Sequence, residues 1–177
     1  QITFDLDPDE GLAFVEVITA ARRVRDVLQG LGLPAFAKTT GGKGLHVVTP
    51  IRSDGRSRVT WDQAKAFARA VSEAVAAEAP DRFTTTLSKK ARGGRIFLDY
   101  LRNGRMATAV APWSPRARPG GTIACPLAWT QVRKGLNPQA FNLFTAGALL
   151  KAPDPWADFR SAETSLRPAL KALRVKA

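Results

Sequence analysis

The chain has 177 residues, with 27 Lys+Arg against 15 Asp+Glu, a formal net charge of +12 and an isoelectric point near 10.9. With 45% hydrophobic and 24% charged residues it can bury a core, which excludes wholesale disorder, and no apolar run approaches the ~20 residues of a membrane-spanning helix. A lone Cys125 and a single His46 exclude a disulfide framework and any zinc site built from Cys and His, and they imply a reducing, cytoplasmic setting.

A positive excess of this size concerns partners rather than fold: polyphosphates, nucleic acid or an anionic surface. The chain opens without an initiator Met or a basic leader, directly in a strand-like segment, and reads as a piece of a longer polypeptide. Residues 2–7 alternate strictly, placing Ile2, Phe4 and Leu6 on one face and Thr3, Asp5 and Asp7 on the other, before Pro8 stops the strand. From 11 to 31, Phe14, Val17, Ile18, Ala21, Val24, Leu28 and Leu31 recur at helical steps, with Gly30, Gly32 and Pro34 to end the helix. A strand over 35–39, a loop over 40–44 and a strand over 45–50 follow.

Thr60 and Gln63 fit a capping box opening an Ala-rich helix over 61–79, which Pro80 closes. The basic stretch 88–95 leads into a strand over 96–100, and Asn103-Gly104 predicts a hairpin into a strand over 106–111. Residues 113–121 form a Pro- and Gly-punctuated loop, 122–126 a short strand, 129–134 a helical turn and 156–175 a surface helix. Together these elements predict an α+β fold: a mixed, mainly antiparallel sheet bearing acids on one face, with helices 11–31 and 61–79 packed behind it, in a single domain over 1–177.

Asp5 and Asp7, two residues apart on one strand face, stand roughly 6–7 Å apart, a spacing suited to hard divalent cations; the alternative is that Asp7-Pro8-Asp9-Glu10 is an acidic turn capping the helix that follows. Asp99 sits in an apolar strand and needs a partner; a metal shared with Asp5 and Asp7 supplies one, and an arginine is the alternative. Gly41, Gly42 and Gly44 around Lys43 allow a backbone to approach an anion closely. This is not a Walker A loop, since Gly44 stands where Ser or Thr is required and a strand follows. His46 reads equally as a phosphate donor or as a core histidine. The basic residues Lys89, Lys90, Arg92, Arg95, Arg102, Arg105, Arg116 and Arg118 form either a solvated face or a phosphate track. Acids and bases alternate along the chain, as expected if metal, triphosphate and polynucleotide share one site.

Four segments in order, Phe4-Asp5-Leu6-Asp7-Pro8, Lys38 to Val47 (KTTGGKGLHV), Ile96-Phe97-Leu98-Asp99-Tyr100 and Trp113 to Gly120 (WSPRARPG), closely resemble the polymerase domain of bacterial ligase D, in the archaeo-eukaryotic primase superfamily. The resemblance implies a nucleotidyltransferase that adds ribo- or deoxyribonucleotides to a DNA 3′ end in non-homologous end joining, with Mn2+ or Mg2+ and a nucleoside triphosphate. It makes Asp5, Asp7 and Asp99 the catalytic metal carboxylates. It assigns the triphosphate to Thr40, Gly41, Gly42, Lys43, Gly44, His46 and Arg116, with Thr40 in place of the usual serine. Implied partners are gapped or 3′-overhanging DNA, ligase and nuclease modules, and a Ku-type end-binding protein. Family domains extend further upstream, so this chain is expected to be their catalytic part. A non-catalytic basic nucleic-acid-binding module, a nucleotide-binding regulator and a metal-dependent nuclease are the rival readings.

Overall fold

The computed structural model describes residues 1–55, 58–88, 90 and 92–175. Its centre is β1, Ile2–Pro8, whose alternation sends Ile2, Phe4 and Leu6 into the core and Thr3, Asp5 and Asp7 to the opposite face. Around it lie β2 (Phe36–Thr39), β3 (Leu45–Thr49), β5 (Phe83–Thr84), β6 (Ile96–Asp99) and β7 (Pro126–Leu127). The six strands form a sheet in the order β5-β6-β1-β3-β2-β7, antiparallel throughout except for β5 and β6. Such a mixed α+β sheet agrees with the expectation. A parallel pair, β4 (Ile51–Arg52) with β8 (Thr164–Ser165), ties the end of the chain to its middle.

Two helices cover the core face. Helix α1, Phe14–Gly30, buries Val17, Ile18, Ala21, Val24 and Leu28, and Gly32 (φ +73°) turns the chain so that the Leu33 amide donates to the Leu28 carbonyl. Helix α2, Trp61–Glu78, begins at the expected box: the Gln63 amide donates to Thr60 Oγ1 at 3.2 Å and the Thr60 amide to Gln63 Oε1 at 2.9 Å. Phe67 of α2 meets Phe4 edge-on at 6.5 Å, fixing the helix over β1. Among the described residues no helix is long and apolar enough to cross a membrane.

Three expectations are corrected. Asn103-Gly104 does not turn a hairpin, and 106–111 is not a strand. Leu101–Asn103 is a 3-10 turn, and the buried Asn103 side chain instead clamps β1, accepting from the Thr3 amide and donating to the Thr3 carbonyl, both at 2.8 Å. The expected strand over 122–126 shrinks to single bridges at Thr122 and Ile123 before β7. The expected helix over 156–175 is reduced to α4, Arg167–Ala172, with Pro168 in its first turn, where its missing N–H costs nothing; turns and β8 occupy the residues before it. Trp156 is drawn inward, donating its indole N–H to the Ala37 carbonyl at 2.9 Å and stacking on Phe159. The short helix α3, Ala146–Lys151, lies on the surface.

Candidate active site

The register of the sheet brings four ionisable residues into one row. Asp99 on β6 is directly opposite Asp5 on β1, Asp5 is opposite His46 on β3, and His46 is opposite Lys38 on β2. Residues directly opposite in antiparallel strands share a face, so all four stand on the side away from the helices, and Asp7, two residues beyond Asp5, joins them. The three acids expected to converge therefore occupy one face of the sheet.

Cations lie between them. The Arg102 Nε is 3.1 Å from Asp5 Oδ2 and 3.2 Å from Asp99 Oδ2, bridging the two. Arg92 donates from Nη1 to Asp7 Oδ2 at 2.6 Å, while Lys43 Nζ is 3.6 Å from Asp7 Oδ1. His46 Nε2 faces Asp5 Oδ1 at 3.3 Å. Among the described residues, no three acids, histidines or cysteines are clustered closely enough to hold a metal ion as they stand. Of the two sequence readings of Asp99, the arginine partner is the one present here, and that arginine also reaches Asp5. The donor set still fits a hard divalent ion, since it is built of carboxylate oxygens on one face, each with lone-pair capacity beyond a single hydrogen bond.

Burial opposes ionisation of Asp5, but the hydrogen bond and charge of His46 and the nearby Arg102 outweigh it and hold its pKa below the ordinary value. Asp99 goes the other way: burial raises it, only partly countered by the Leu101 amide and Arg102. Burial also lowers His46, against the pull of Asp5, and pushes Lys38 down to about 8.

Beside the acids, the β2–β3 connection forms a tight cradle. Thr40 Oγ1 accepts from the Gly42 amide and donates to the Gly44 carbonyl. Gly41 has φ +67°, and a Cβ there would stand 2.5 Å from Arg116 Cγ; a Cβ at Gly44 would stand 2.4 Å from the Leu6 carbonyl oxygen. Glycine at these positions lets the loop lie against β1 on one side and the Arg116 stem on the other. Arg116 Nη1 donates to the Thr40 carbonyl at 3.0 Å, and Lys43 Nζ to the Pro8 carbonyl at 2.6 Å. Thr39 Oγ1, bonded to both Ile123 and Cys125, pins the arginine-bearing segment to β2.

A cleft of about 850 Å³ opens over this face, lined by Asp5, Asp7, the 40–44 loop, His46, Arg102, Arg116 and Arg118. Asp99 is buried at 7% exposure beside Arg102 rather than on the lining. Of the seven residues expected to hold the triphosphate, all line the cleft. Arg118, whose guanidinium lies over Gly42, was read from sequence only as part of a basic run. Arg102, also read as a phosphate contact, stands between carboxylates; its spacing of three from Asp99 is the signal for that. Arg92 is corrected more sharply, since it is buried at 6% exposure against Asp7 and over the Phe97 ring. Arg95 is bound to the Arg92 and Pro80 carbonyls. Lys89, from the same expected phosphate track, lies outside the described residues, and Lys90 is exposed.

Residues 1–156 match the family described as the LigD primase-polymerase domain. The chain belongs to this family. It is 35% identical over 174 residues to the multifunctional non-homologous end joining protein LigD of Pseudomonas aeruginosa, covering 97% of this chain and 20% of that protein. It is 29% identical over 160 residues to the bifunctional LigD of Bacillus subtilis, covering 90% of this chain and 26% of that one. The fold matches the polymerase domain from Mycobacterium tuberculosis ligase D, solved in complex with DNA, with a TM-score of 0.72 and 31% identity over 86% of this chain and 55% of that one. The LigD-type chain thus spans a fifth to a quarter of these curated relatives and about half of the matched polymerase structure.

Proposed function

We propose that this LigD-type domain transfers nucleotides from a nucleoside triphosphate to a DNA 3′ end during double-strand break repair by non-homologous end joining. The observation that carries the reading is the meeting of two charge sets at one cleft: Asp5 and Asp7 on its lining with Asp99 buried directly across from Asp5 on the same sheet face, and a glycine cradle with Lys43, Arg116 and Arg118 beside them. Hydrolysis of DNA needs no triphosphate cradle, so the pairing favours transfer over a nuclease. Asp5, Asp7 and Asp99 would hold Mn2+ or Mg2+, which when bound supplies charge stabilisation to the attacking and leaving oxygens of an in-line displacement. The chain's own part is positioning. Backbone amides of 40–44, Lys43 and Arg116 bind the phosphates and neutralise charge that develops on the leaving pyrophosphate. His46 orients Asp5, and the surrounding positive field draws in the DNA. Gapped or 3′-overhanging DNA, a Ku-type end-binding protein, and ligase and nuclease modules are the partners of this reading; the relatives' names support the end-joining setting, and the DNA complex of the structural neighbour supports a DNA partner.

One observation favours a non-catalytic nucleic-acid-binding module instead: every acid of the row has a cation partner in the protein. Extension of a labelled primer in Mn2+ separates the two. Nucleotide addition by the parent, abolished in Asp5→Asn, supports transfer; Lys43→Ala and Arg116→Ala should then weaken nucleotide binding at least about tenfold, the loss of one charge-assisted contact, with DNA binding far less affected. DNA binding without addition or nucleotide affinity would support the module.

A further inference from the structure

One member of the buried row has no part in the proposed reaction. Lys38 is 2% exposed, and its Nζ has no hydrogen-bond partner among the described residues. An ammonium buried without a partner destabilises a fold, so packing does not account for it. Its cross-strand neighbour His46 is also 2% exposed, and there Nδ1 is the unpartnered atom, Nε2 being turned to Asp5. The two orphans are of opposite kinds. An ammonium only donates, and Nδ1 accepts whenever the ring carries its proton on Nε2. That is also the tautomer Asp5 requires, because a bare Nε2 would set a lone pair against the carboxylate.

We propose that Lys38 is a positioning residue: its ammonium donates through one bridging water to Nδ1 of His46, fixing the Nε2–H tautomer that holds Asp5 in place. Which nitrogen of a histidine carries the proton is set by the hydrogen bond made by the other, and a group acting through such a link orients the carboxylate without touching substrate. Of the charges around Lys38, Asp5 favours a cation at this spot, while burial and Arg116 oppose it. With its pKa near 8, Lys38 remains mostly an ammonium at neutral pH. The effect on catalysis rests on the transfer reading above, whereas the tautomer does not.

The chain contains a single histidine, so 15N-histidine labelling of the whole protein reports on residue 46 without assignment. At neutral pH without metal, the parent should show one neutral tautomer, protonated on Nε2, with Nδ1 shifted as a hydrogen-bond acceptor. Lys38→Met, of similar length and without the charge, should lose that shift and populate both tautomers. In primer extension its kcat should fall about 10–100-fold, with the nucleotide KM little changed. A parent spectrum showing the Nδ1–H tautomer or an imidazolium overturns the proposal without any variant. So does a folded Lys38→Met that keeps the parent pattern, or one that loses it with kcat unchanged. If the parent transfers no nucleotide, the transfer reading fails, while the spectra still decide the contact.

Discussion

Asp5 and Asp99 face each other across one pair of strands, yet their surroundings drive their ionisation in opposite directions. An acid with a lowered folded pKa contributes stability above its unfolded value, near 3.9, and that contribution is lost as pH falls through the folded pKa. An acid with a raised pKa contributes only below the unfolded value, and its contribution is lost as pH rises through the folded one. Asp5→Asn should therefore lower Tm at pH 7, and Asp99→Asn should raise it, by about 2–4 °C for each kcal/mol. The Asp5 difference should shrink as the pH falls from about 3.9 through its lowered folded pKa, and the Asp99 difference as the pH falls through its raised folded pKa toward about 3.9. Calorimetric melting across this range checks both signs; equal signs at pH 7 would show that Arg102 serves the two acids alike. A gain in stability from removing Asp99 would also mark it as a group kept at a cost to the fold.

The β2–β3 connection and the clamp at Asn103 hold the strands that carry the acids. Gly44→Ala drives a Cβ into the Leu6 backbone carbonyl, which has no side-chain freedom to give way, so the loop must leave β1. Nucleotide affinity should drop with it, measurable by calorimetry. Asn103→Ala strands the Thr3 amide and carbonyl and should destabilise the protein by about 1–3 kcal/mol in urea unfolding, with no direct effect on the cradle; an unchanged midpoint would refute the clamp. The two elements differ in how well sequence reveals them. Period-two alternation placed β1, and helical spacing and a capping box placed α1 and α2, because each signal is local. Asn103-Gly104 misled because its asparagine bonds a strand 100 residues away, a partner no local pattern shows. Pro168 is the local signal against a single helix over 156–175, while the inward turn of Trp156 onto Ala37 depends on a partner no local pattern shows.

Across the molecule, the +12 charge pointed to an anionic partner, and the family match agrees with a polymerase domain. What charge counting could not show is how the cations divide. Arg92 and Arg102 bind the protein's own carboxylates, Arg116 and Arg118 line the cleft, and Lys38 is buried below it. Ordering in sequence was enough to bring acids and cradle to one site, since strands β1, β3 and β6 pair through the segments that carry them; the pairing of each acid with a cation was not, because it depends on three-dimensional reach. The most direct test of a shared metal and triphosphate site is a crystal structure with Mn2+ and a non-hydrolysable nucleoside triphosphate. Anomalous density about 2 Å from the Asp5, Asp7 and Asp99 oxygens, with the phosphates on residues 40–44 and Arg116, is the predicted result. Manganese or nucleotide bound elsewhere, with Arg102 still bridging Asp5 and Asp99, would contradict it.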